Sequence, residues 1–153
     1  MTITPHLTLI LTLTLHLTTA TIYHVGPDQT YSEISQVPLE TQTPGDQVHV
    51  HWRSTGYAEK FVLAAEGTEA NPIIFKGIRN IEGARPVISG ELAVTRTELD
   101  YWGEDRGLIK IGGASTPSVS VPKWIVVEGF DLRYAHPGLV LFVFFYFFRF
   151  FVY

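Results

Sequence analysis

Pro44-Gly45-Asp46-Gln47-Val48-His49-Val50-His51-Trp52 is the stretch on which the fold turns. Pro-Gly-Asp sets a turn, because proline presets φ, glycine tolerates positive φ and aspartate bonds to nearby backbone. Beyond it, Val48, Val50 and Trp52 alternate with His49 and His51, the period of a strand with one buried face. Val48, Val50 and Trp52 are expected to face a core, and the two histidines to face solvent on an outer wall. Upstream, residues 21–26 form a short strand closed by Gly26-Pro27-Asp28. Between the two strands, Tyr31, Ile34 and Val37 fall three apart, which predicts a short helix within residues 29–39. Pro38 and Pro44 keep it from extending.

Downstream, a motif repeats without a repeated sequence. Short apolar runs recur at residues 61–63, 73–75, 87–88, 108–111, 124–127 and 130–132, with Gly, Pro, Asn or Asp in most gaps. Tight two-residue hairpin signals such as Asn-Gly are missing from these gaps, which argues against an antiparallel meander. Val48 and Ile73 are 25 residues apart, about one turn of a three-strand coil. Repetition on this scale predicts a solenoid. The gap at residues 90–107, rich in charge and holding Tyr101 and Trp102, reads as a loop inserted between coils.

Composition bounds the function. The 153 residues carry a net charge of −4 with both signs scattered, so the basic stripe of a nucleic-acid binder is missing and no nucleic-acid partner is expected. Cysteine is absent, which removes disulfides, thiolate nucleophiles and thiolate metal sites. Gly112-Gly113 lacks the lysine and spacing of a phosphate-binding loop.

The two ends are foreign to the middle. Residues 1–20 hold no Asp, Glu, Lys or Arg, and the apolar run 7–17 leads to the small residues Thr18-Thr19-Ala20. That predicts a signal peptide over 1–20 and an extracellular, secreted protein, although the basic n-region is missing and Leu/Thr alternation also suits a strand. Seven of the ten Phe lie between Phe142 and Phe151. Residues 138–153 therefore read as an aberrant apolar tail of a shifted frame, a retained intron or an early gene end. Its Val, Phe and Tyr favour strand. It is shorter than the roughly 20 residues of a spanning helix, so a membrane partner is not expected.

Taken together, Val25-Gly26, the short helix, Pro44 to Val50, Gly67-Thr68, Asn71-Pro72-Ile73-Ile74-Phe75-Lys76-Gly77, Arg85 to Gly90 and Trp124 to Phe130 form a recognisable order. It resembles the N-terminal part of the pectate-lyase-like right-handed parallel β-helix proteins, across roughly residues 22–136. The resemblance implies an all-β solenoid over residues 21–137, with a cap helix and three to four coils. It also implies a secreted polysaccharide-active parent, a lyase or hydrolase. In such proteins the catalytic base and calcium-binding acids usually sit on middle coils. The chain is accordingly expected to be incomplete and inactive, with no catalytic residue and no cofactor of its own, calcium belonging to a full-length parent. The alternative is a non-catalytic carbohydrate-binding or adhesin-like module. Self-association through an uncapped end and the tail is expected as well.

Candidate site residues follow from stacking chemistry. A flat aromatic beside charges suits a sugar ring, so Tyr101, Trp102 and Arg106 are one candidate surface, and Trp52 and Arg53 at the first corner, with Tyr57, another. Packing of the same rings against the stack is the competing reading. Glu104 and Asp105 fall short of the six to eight oxygens calcium takes. Glu128 and Asp131 are expected to face outward, where a paired-carboxylate hydrolase site is possible in principle but outer-face acids are common. His49 and His51 have a spacing that can bind metal, with His24 as third histidine, but an outer-wall placement without metal is expected.

Overall fold

The computed structural model describes residues 19–95, 107–111 and 122–135, and the backbone of Leu141–Val143 and Phe148–Phe151. The expected signal peptide apart from Thr19 and Ala20, the aromatic pair Tyr101 and Trp102, and Arg106 lie outside the described residues, as do Glu104 and Asp105.

The strands are short. They are β1 Ile22–Val25, β2 Gln47–His51, β3 Glu59–Leu63, β4 Ile73–Ile78, β5 Val87–Ser89 and β6 Val94–Thr95. They continue with β7 Ile109–Ile111, β8 Ile125–Glu128, β9 Asp131–Arg133, β10 Leu141–Val143 and β11 Phe148–Phe151. Each apolar run read from the sequence between residues 61 and 132 overlaps one of them, and those at 61–63, 73–75 and 87–88 lie wholly within theirs. They form a five-stranded sheet in the order β1-β2-β4-β8-β11, a four-stranded sheet β10-β7-β3-β6 and a pair β5-β9. Every pairing between these strands is parallel. Successive members of the large sheet are joined through strands of the other sheets, β3 between β2 and β4, and β5 between β4 and β8. The protein is thus all-β and parallel, and the strand preference of the aromatic tail is met in β10 and β11, which add to β7 and β8.

Register turns the period-two pattern into stacked rows. Tyr23, Val48, Phe75 and Val127 stand opposite one another in turn, and so do His24, His49, Lys76 and Glu128. Ile22 pairs with Gln47 and Gln47 with Ile74, steps of 25 and 27 residues. Within the core, Phe75 packs at 4.8 Å from Phe61 and stacks at 5.0 Å on Phe130. Val48, Val50, Ile73, Ile88, Ile109, Ile125 and Val127 fill the space around them. Each such side chain removed from water contributes about 1.5–3 kcal/mol.

The helix expected within residues 29–39 is not formed. One 3-10 turn, Ile34–Gln36, stands in its place. Tyr31 is instead bonded to the end of β1, its N–H donating to the His24 carbonyl at 3.1 Å and its carbonyl accepting from Gly26 at 2.8 Å. These bonds take backbone groups a helix would use, and Pro38 bars extension on the far side. The three-residue spacing still buries Ile34 and Val37, now from a turn. From β3, the buried carboxylate of Glu59 accepts hydrogen bonds from the Ile34 N–H at 2.7 Å and the Ser35 N–H and hydroxyl at 3.2 and 2.8 Å. An acid on the next strand therefore caps this turn.

Trp52 is also placed differently from expectation. β2 ends at His51, and Trp52 is half-buried rather than core-facing, although its N–H still donates to the Ile78 carbonyl at 3.0 Å. Two close backbone approaches set the stacking distance at the next corner. A Cβ on Gly77 would stand 2.3 Å from the Gly129 carbonyl oxygen, and Gly129 itself has φ +81°. Only glycine fits such a crossing.

Candidate functional site

The corner following β2 and the segment β8–β9 enclose a groove of about 650 Å³. It is lined by Trp52, Arg53 and Ser54, by Ala84, Arg85 and Val87, and by the run from Val127 to Arg133. A second depression of about 620 Å³ shares Arg85, Glu128 and Gly129 with it and extends past Lys76 and Arg79. The two form one elongated surface with an aromatic ring, cations and two carboxylates.

Arg53 is committed to the fold. Its guanidinium makes a bidentate pair with Glu33 at 2.8 and 2.9 Å, and donates to the carbonyls of Ser32 and Gly56. Its plane lies 3.9 Å from the centre of the Tyr57 ring. A guanidinium has five donors, and four are accounted for here. Arg53 thus gives the groove a rigid wall, its charge offset by Glu33. Tyr57 is fully buried beneath it, donating to the His51 carbonyl at 2.6 Å. Burial pushes its hydroxyl pKa up to about 12, so it remains a proton donor throughout the working range.

The carboxylates of the groove are paired. Glu128 meets Lys76 at 3.1 Å, and Asp131 is bound by Arg133, both near the surface. The expectation that Glu128 and Asp131 lie on the outer side holds, since both are half-exposed. Arg133, exposed beside Asp131, has its pKa raised by the hydrogen bond and charge of that carboxylate.

A separate cluster crosses β1 and β2. Nδ1 of His24 lies 3.1 Å from Nε2 of His51, and the His24 ring meets His49 edge-on at 5.3 Å. His49 and His51 stand on the outer side of β2 as expected, alternating with the buried Val48 and Val50, and are half-exposed; burial together with the neighbouring His24 lowers the pKa of both. Among the described residues, no group of three or more His, Asp and Glu is arranged to hold a metal ion.

Structure therefore joins Trp52 and Arg53 to Arg85, Glu128, Asp131 and Arg133. Arg85 escaped the sequence reading because only the crossing of β4–β5 over the first corner brings it there. Glu59 was missed as well, and so was the reach of Asp46 to β1: Asp46, buried, makes the local turn bond from the Thr43 N–H at 2.8 Å but also accepts from the Thr21 N–H at 2.7 Å. The Thr43-to-Asp46 spacing around Pro-Gly was the available signal. The fold and groove define a parallel all-β protein with an elongated polar-aromatic surface. No family model, curated protein or solved structure matches the chain.

Proposed function

We propose that the chain forms coils of a right-handed parallel β-helix of the pectate-lyase-like kind, and that its groove binds a polysaccharide in a secreted protein. Parallel strands linked through other sheets support the coil, since such crossovers are right-handed in nearly all cases. The observation that carries the binding role is the groove that brings half-buried Trp52 together with the charged, hydrogen-bonding groups of Arg85, Glu128, Asp131 and Arg133. A sugar presents an apolar face to an aromatic ring and hydroxyls to charged partners. Between a catalytic and a non-catalytic role, the ion pairing of both Glu128 and Asp131 favours a binding wall, because a general acid needs a proton to give.

Retention of the full chain on a pectin or alginate gel tests the reading. Retention that drops in Trp52→Ala while the fold is kept supports it, and a chain that elutes with the void volume on both gels removes it. Release of unsaturated, ultraviolet-absorbing products by the chain would turn the binding wall into a lyase.

A further inference from the structure

We propose that His24 and His51 form a binding site for a divalent transition metal of the copper, nickel and zinc group, placed across β1 and β2. Their nitrogens Nδ1 and Nε2 are 3.1 Å apart. Two imidazole nitrogens at the usual 2.0–2.1 Å from one ion stand about 2.9 Å apart at a right angle and about 3.3 Å apart at a tetrahedral angle. The observed separation falls between the two. A metal therefore needs a turn of the two rings, not a movement of the strands.

The backbone holds both rings in place. His24 is fixed opposite His49 by the β1–β2 register, and His51 follows two residues on along the same face. The Tyr57 hydroxyl, bound to the His51 carbonyl, anchors that end of β2 from the core side. His49 Nε2 lies 2.9 Å from the Gln47 side-chain oxygen, an acceptor to which it can donate, so this nitrogen is engaged on β2. The groups facing the pair are His49 and Gln47 on β2, and next in the row Lys76 on β4, whose ammonium is drawn to Glu128 at 3.1 Å. Two imidazoles with water in the remaining positions suit this group of ions, whereas calcium and magnesium prefer oxygen. Because the ligands come from two strands, the ion would tie β1 to the sheet.

The test is titration of the full chain with copper(II) chloride at pH 7.5, with magnesium and calcium chloride as controls, read by electron paramagnetic resonance. The expected spectrum shows two coordinated imidazole nitrogens. His24→Gln and His51→Gln should each leave one nitrogen and weaken binding by more than the roughly 10–100-fold that loss of an outer-shell partner costs, while His49→Gln keeps both nitrogens. Fewer than two nitrogens in the unaltered chain overturns the proposal without any variant, should the substitutions impair folding. It is also overturned by an unchanged spectrum in the His24→Gln/His51→Gln double variant, by binding that follows His6, His16 or His136 instead, or by no bound copper at about millimolar concentration.

Discussion

The large sheet and the corner that follows it are built from adjoining residues and held by opposite means. From Gln47 to His51 every second side chain enters a row of like residues, and Val48 rests between Tyr23 and Phe75. From Trp52 to Tyr57 the chain is fixed by polar partners distant in sequence, Arg53 on Glu33 and Tyr57 beneath it. Dispersion and burial tolerate exchange among apolar residues of similar volume, whereas the corner depends on particular donors and acceptors. Regular strands supply a wall; the corner gives that wall a groove.

The sharpest way to break the sheet side is Phe75→Ala. Phe75 is fully buried between Phe61 and Phe130, so its loss should cost about 3–5 kcal/mol in urea unfolding. Gly77→Ala comes next, because its Cβ would strike the Gly129 backbone, and overpacking of this kind costs about 1–3 kcal/mol. A midpoint unchanged from the parent would show that the two corners do not cross as closely as 2.3 Å implies.

On the corner side, Tyr57→Phe removes the hydrogen bond to His51 and keeps the ring. About 1 kcal/mol should be lost, a smaller effect than either core change, with the cation–π contact to Arg53 retained. Acid distinguishes the two regions in another way. His49 and His51 have folded pKa values below the ordinary 6.5, so the unfolded chain binds protons more readily. Their contribution is full above pH 6.5 and is lost as pH falls through the depressed folded values. The effect is modest for half-buried rings, and thermal melts should lose less on acidification in His49→Gln than in the parent. Smallest is Lys76→Met, which breaks an exposed pair with Glu128 and should change stability by less than about 1 kcal/mol. If it exceeds Tyr57→Phe, the outer row matters more than its exposure implies.

Sequence legibility follows the same division. The strands were readable because alternation is local: Val48 and Val50 announce a buried face whatever lies beside them. Trp52 continued that alternation on paper and misled, since the strand ends at His51 and Trp52 is half-buried beyond it. The helix within residues 29–39 was misread for a related reason. Three-residue spacing marks a buried face, and a turn capped from Glu59, with Tyr31 bonded to β1, satisfies it as well as a helix does. Of the groove, Trp52 and Arg53 were legible as an aromatic beside a charge, but not Arg85.

By itself the sequence determined the all-β class, the positions of most strands and the polar-aromatic character of the first corner, because each rests on alternation or turn chemistry within a few residues; the parallel stacking was read from recurrence near 25 residues, and β6 falls in the stretch 90–107 that was read as a loop. Tertiary structure alone decided that His24 meets His51, that Glu59 caps a turn 25 residues before it, and that Arg53 is bound while Trp52 lines a groove. Those contacts depend on the register between strands, set by how whole rows of side chains pack and not by any one stretch of the chain.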